Sequence, residues 1–129
     1  MDTKLTTKSQ EALSASGMNA STAGNPQIEP AHLLKALLDQ RDSVAVALLK
    51  TAGLDVDALS VKASSLIKAL PSSSGSSVAQ AQFSRQLLQV VNNAQETATE
   101  MGDTYVSTEH LLIALASDQT KTGEALREM

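Results

Sequence analysis

The chain has 129 residues with 14 acidic against 10 basic side chains, a net charge of −4, and so lacks the cationic surplus that neutralises nucleic-acid phosphates. Its two aromatic side chains, Phe83 and Tyr105, are too few to stack single-stranded bases, and the absence of cysteine removes disulfides, Cys–zinc sites and thiol nucleophiles. No apolar run approaches the ~20 residues that span a bilayer and the start does not resemble a signal peptide, so no membrane partner is expected and a cytoplasmic protein is.

The 42% apolar fraction is drawn mainly from Ala, Leu and Val, which suits closely packed helices better than a sandwich of aromatic-rich strands. Thr6 or Thr7 caps a first helix, with Thr7 and Gln10 at capping-box spacing. That helix runs to about Ala23 and ends at Gly24, and its apolar face (Leu5, Ala12, Leu13, Ala20, Ala23) is thin. Asn25-Pro26 makes a turn. Pro30 opens a second helix, about Pro30–Gln40, where its missing N–H does no harm. Ser43 caps a third helix, Val44–Ala52, closed by Gly53. Asp55 caps a fourth that runs to about Leu70 and stops at Pro71, with Val56, Leu59, Ala63, Leu66 and Leu70 at helical spacing.

The stretch Pro71–Gln82, rich in Ser, reads as a flexible linker. The pattern then restarts. Ser84 stands where Thr6 stood, and Phe83, Leu87, Val90, Val91, Ala94, Ala98 and Met101 give a much stronger apolar face. Gly102-Asp103 is a turn, Ser107 caps the next helix, and Gly123–Met129 belongs to the one after.

The restart is a duplication. His110 follows His32 by 78 positions and Phe83 follows Leu5 by 78, and at that offset Ala20, Gly24, His32, Leu33, Leu34, Ala36, Leu37, Ala47 and Leu48 meet identical residues without a gap. The stretches Gln27–Leu38 and Tyr105–Ala116 are apolar almost all round, as a buried helix is, so each is the expected centre of its own small bundle. The fold class is all-α, with two pseudo-twofold repeats of about four helices: 1–70, a linker at 71–82, and 83–129. The counterpart of Ala52–Leu70, about 19 residues, is missing from the second repeat, which marks the chain as a piece of a larger protein.

His32 and His110 lack a Ser, Cys or carboxylate at nucleophile or metal spacing. The positive end of a helix disfavours a charged histidine, whereas a neutral one can tie the helix start to a neighbouring loop. Glu109 lies in a helix's first turn, where an anion is favoured by ~0.3–1 kcal/mol, and Asp103 is a common turn former. The first repeat has Ala31 in place of Glu109, so helix stability does not require the acid and a binding role stays open. Thr6 reads as an N-cap that can also face the space between the repeats. Leu13 and Val91 hold matched positions and are expected to line the two walls of an inter-repeat cleft, the usual kind of place for a ligand. There is no P-loop, His-Glu-x-x-His or Gly-x-Ser-x-Gly motif, so neither catalysis nor a cofactor or metal is expected in this segment.

Leu5-Thr-Thr-Lys-Ser-Gln-Glu-Ala-Leu13, Ile28-Glu-Pro-Ala-His-Leu-Leu-Lys-Ala-Leu-Leu38, Lys68-Ala-Leu-Pro71 and Gly102-Asp-Thr-Tyr-Val-Ser-Thr-Glu-His-Leu-Leu112 resemble the Clp amino-terminal domain family, most closely its disaggregase branch. The resemblance implies a recognition domain that precedes two ATPase modules, which hold ATP and Mg, in a homohexameric cytoplasmic stress chaperone. The isolated domain would be a monomer. Its implied partners are unfolded or aggregated client proteins and a co-chaperone or adaptor, and its implied polar site positions are Thr6, Asp103 and Glu109. ClpC-type relatives carry Thr-Glu-His in both repeats and can recognise phosphoarginine or adaptors. Here the first repeat reads Pro30-Ala-His32, which argues against a paired site and leaves docking of that kind as the alternative.

Overall fold

In the computed structural model, which describes residues 4–71 and 81–128, seven helices and two short strands follow one another as α1 (Thr7–Thr22), β1 (Gln27–Ile28), α2 (Pro30–Asp39), α3 (Val44–Thr51), α4 (Val56–Lys68), β2 (Gln82–Phe83), α5 (Arg85–Glu100), α6 (Thr108–Ala116) and α7 (Lys121–Glu128). The all-α class holds. Thr6, not Thr7, is the first N-cap: its Oγ1 accepts the Ser9 N–H at 3.2 Å, while Gln10 Nε2 turns back to the Leu5 carbonyl. Ser43, Asp55 and Ser84 cap α3, α4 and α5 in the same way, each accepting an N–H three residues on. Gly24 and Gly102 end α1 and α5 at φ 76° and 77°, a region that L side chains avoid.

The repeats do not form two separate bundles. α1 and α4 pack on α2, and α5 and α7 pack on α6, but α2 also touches α6, α3 packs on α6, and α4 packs on α7. The buried side chains form one cluster that includes Leu33, Leu34 and Leu37 of α2 with Leu111, Leu112 and Leu115 of α6. The cause is in the central helices. Each is apolar on more faces than its own repeat can cover, so the remainder is buried against the other repeat. The cleft expected between two facing bundles is therefore replaced by a shared core with hollows at its surface.

The backbone ties the repeats together as well. β1 pairs in parallel with β2, Ile28 opposite Phe83, and Leu5 pairs with Val106. These are equivalent contacts under the 78-residue offset, each joining the lead-in of one repeat to the turn of the other. Ser9 Oγ adds a bond to the Val106 carbonyl at 2.9 Å. Two expectations change as a result. Phe83 lies on β2 and is exposed rather than on the apolar face of α5, and Met101 is likewise exposed, as the α5 C-cap. Of the expected linker, 72–80 lies outside the described residues, but Pro71 accepts Asn25 Nδ2 at 3.0 Å, Ala81 is in the core and Gln82 is in β2.

The seating of α7 gives a test. Gly123 is buried, and a Cβ there would overlap the Asp118 backbone carbonyl and crowd the Arg127 guanidinium. That guanidinium closes the α6 end by donating to the Ala116 and Asp118 carbonyls at 2.8 Å each. Gly123→Ala is expected to push α7 outward and to lower stability by roughly 1–3 kcal/mol, read as a lower urea midpoint with faster amide exchange in α7. An unchanged midpoint would mean that α7 does not rest on this turn.

Candidate functional site

The α2 and α6 starts share an unusual reciprocal cap built on histidine. His32 Nδ1 accepts the Glu29 N–H at 2.8 Å, which leaves its proton on Nε2 to be donated to Asn25 Oδ1 at 2.9 Å. In the second repeat His110 Nδ1 accepts the Ser107 N–H at 2.9 Å and Nε2 donates to Asp103 Oδ2 at 2.9 Å. Both rings are buried. Burial holds the His32 imidazole below its ordinary value of 6.5, in keeping with a neutral ring. The histidines are thus staples joining helix starts to the preceding turns, and among the described residues no group of His, Asp and Glu could hold a metal ion.

Two surface hollows collect some of the candidate residues. The first, of about 600 Å3, is floored by Ile28 and walled by Leu13, Gly17 and Met18 of α1 and by Gln82 and Phe83 of β2. No charged residue lines it. Gly17 opens it: a Cβ there would already stand 3.4 Å from Ile28 Cδ1, so a larger side chain would fill the floor. Its far wall comes from the second repeat, so this hollow does lie at the junction. Val91, the expected partner of Leu13, is half-buried on α5 and does not line it. Gln95 and Glu96 stand at the positions equivalent to Gly17 and Met18, so α5 has neither the gap nor the apolar rim that α1 supplies.

The second hollow, of about 290 Å3, is lined by Asp103, Thr104, Tyr105, Ser107, Glu109 and His110. Asp103 gives one oxygen to His110, and Glu109 accepts the Ser107 hydroxyl. Among the described residues the second oxygen of each carboxylate has no hydrogen-bond partner. The equivalent positions in the first repeat are Asn25 and Ala31, both uncharged. Thr6 lines neither hollow, and its hydroxyl is engaged by Ser9. The structure therefore separates the five candidates: Leu13 in the apolar hollow, Asp103 and Glu109 in the acidic one, Thr6 and Val91 in neither. Met18, Phe83 and Tyr105 were not foreseen as site residues. A lone glycine inside the α1 pattern was the available signal for the first two, since such a glycine usually has a packing reason.

An all-α domain of two interlocked, duplicated helical repeats, with an apolar hollow where they join, defines a repeat-type helical module. Residues 4–129 match the family described as the Clp repeat (R) N-terminal domain, and the chain belongs to that family. It is 47% identical over 121 residues to the chaperone protein ClpB of Corynebacterium diphtheriae, a match covering 94% of this chain and 14% of that protein. The chain thus spans about one seventh of the length of that relative. The fold is shared with the Hsp104 N-terminal domain from Candida albicans (TM-score 0.84, 22% identity, 97% of this chain and 81% of that one). It is also shared with a ClpV N-domain solved in complex with a VipB peptide (TM-score 0.77, 23% identity, 97% and 78%). The segment corresponds to the N-domain of ClpB-type chaperones. Among the described residues no helix is long and apolar enough to cross a membrane.

Proposed function

We propose that this segment is the substrate-recognition domain of an ATP-dependent disaggregase, holding exposed apolar stretches of unfolded or aggregated polypeptide in the Leu13–Phe83 hollow. The observation that carries the reading is an uncharged, open hollow rimmed by the exposed side chains of Met18 and Phe83. Such a surface recognises stickiness rather than sequence, which is what a client with no fixed structure offers. A flexible thioether suits varied partners. The peptide-bound ClpV N-domain lends support as a structure of the same fold holding a polypeptide segment. The domain itself performs no catalysis in this reading. ATP and Mg are held by separate modules of a cytoplasmic homohexamer, and six tethered copies allow each contact to be weak while the ring retains avidity.

The test is a titration with reduced, carboxymethylated α-lactalbumin, a permanently unfolded protein, followed by amide shifts. Leu13, Gly17, Met18 and Phe83 are expected to move. The double variant Leu13→Ser/Phe83→Ser is expected to weaken binding by about tenfold, some 1.4 kcal/mol, with little dependence on salt. Shifts absent from this hollow would sink the reading.

The acidic hollow favours a second reading, docking of an adaptor or a phosphoarginine side chain, because Asp103 and Glu109 face it with free carboxylate oxygens that a guanidinium would engage. A site of that kind would weaken steeply with ionic strength and fail on Glu109→Ala, whereas client binding in the apolar hollow would survive both.

A further inference from the structure

The face where α4 packs on α2 takes no part in either hollow of the candidate site. A third hollow, of about 320 Å3, opens there between Lys35 of α2 and Ser60, Val61, Ser64, Ser65 and Lys68 of α4. Ser60, Ser64 and Lys68 are spaced four apart and so stand in one row along the helix. No acidic side chain lines the hollow, in a chain whose net charge is −4. Lys35 Nζ lies 2.7 Å from Ser60 Oγ. An ammonium can only donate, so the Ser60 oxygen is the acceptor and its own proton must go elsewhere. Ser60 is 8% exposed, and among the described residues no carbonyl or carboxylate takes that proton. Ser16 and Thr99, also inside helices, give theirs to the carbonyls of Ala12 and Gln95 at 2.7 and 3.0 Å. A buried hydroxyl with its oxygen engaged and its proton unspent requires an acceptor. Helix stability accounts for part of the cluster, since Lys68 suits the last turn of α4 and Lys35 pairs with Asp39 at 3.5 Å. Neither contact satisfies Ser60.

We propose that this hollow binds a phosphate group, with Lys35 and Lys68 supplying charge and the hydroxyls of Ser60 and Ser64 supplying hydrogen bonds. Donors drawn from two helices converge on one space, and a phosphate answers them with three acceptor oxygens and up to two negative charges where a carboxylate has fewer of each. The position equivalent to Lys35 is Ile113, so the hollow belongs to the first repeat alone. The proposal is independent of client binding. None of its six lining residues lines the Leu13–Phe83 hollow or the acidic one, and each reading can fail without the other.

The test titrates the chain with sodium phosphate at about pH 7.5, where the group is largely doubly charged, and follows amide shifts against sodium chloride of equal ionic strength. Saturable shifts around Lys35, Ser60, Ser64 and Lys68 are expected with phosphate alone. Lys68→Met and Ser60→Ala are each expected to weaken binding by about fivefold. Asp39→Asn removes the carboxylate that competes for Lys35 and is expected to tighten binding by about threefold, a gain that damage to the fold would not produce. A blocked phosphoserine tripeptide separates the two sources of the group. Tighter binding than inorganic phosphate, absent from the unphosphorylated peptide, assigns a phosphorylated polypeptide, and binding no tighter assigns the free ion. Shifts that fail to saturate, that chloride reproduces, or that survive all three substitutions unchanged would overturn the proposal.

Discussion

Leu33→Ala is expected to lower the stability of the entire domain by roughly 3 kcal/mol and its melting temperature by on the order of 10 °C, in one transition. Leu33 is fully buried on α2, and truncation leaves a cavity that close-packed neighbours fill only in part. Against a total stability of about 5–15 kcal/mol the loss is large. The informative part is its reach. α2 touches α6 and its side chains share a cluster with Val90 of α5 and Leu115 of α6, so the second repeat loses its support together with the first. Urea unfolding followed by amide signals in α4 and in α5 is expected to give coincident midpoints, shifted equally. Leu111→Ala, at the equivalent position, should do the same. If the α5–α7 signals persisted after α1–α4 had unfolded, the repeats would be independent units and the shared core would be wrong.

The local structure was legible because it is written in local chemistry. Thr6, Ser43, Asp55 and Ser84 stand where caps are needed, and the six helices for which the sequence names a cap or an opening proline, α1 to α6, begin within a residue or two of the position it implies. The gapless 78-residue offset revealed the duplication. What stayed illegible is how the repeats meet. A helix apolar all round announces that it is buried but not against what, and the same property that suggested two bundle centres is what fuses them into one core. Phe83 shows the same limit. Its distance from Leu87 fits a helix, yet Ser84 caps α5 behind it, and the pairing of β2 with β1 turns Phe83 out to the rim of the hollow. The site was half legible. Glu109 stood out because the first repeat has Ala31 in its place, whereas Asp103 was a turn former that only the family resemblance marked as a site position. Val91 was misplaced since offset symmetry was extended from positions to surroundings, and Gln95 in place of Gly17 breaks it there.

The paired histidine staples lead to a pH dependence whose sign follows from His32 alone. Its ring is neutral in the fold, held below 6.5 first by burial, and its Nδ1 is committed to the Glu29 N–H, a bond that protonation would break. The unfolded chain, with an ordinary histidine, therefore takes up a proton that the folded chain refuses. The contribution is fully present above 6.5 and is lost as pH falls from 6.5 towards the folded value, at no more than about 1.4 kcal/mol per pH unit. Urea midpoints measured between pH 7.5 and 5 are expected to fall on the acid side. The second repeat supplies the control, because Asn25 occupies the position equivalent to Asp103. Asn25→Asp sets a carboxylate against His32 Nε2, favours the charged ring, and is expected to flatten the fall between pH 6.5 and 5 relative to the parent chain. At neutral pH it forfeits the bond from Asn25 Nδ2 to the Pro71 carbonyl, worth about 1 kcal/mol. The variant should therefore be the less stable protein at pH 7.5 and lose less on acidification. Parallel profiles for the two proteins across that window would show that His32 does not carry the dependence.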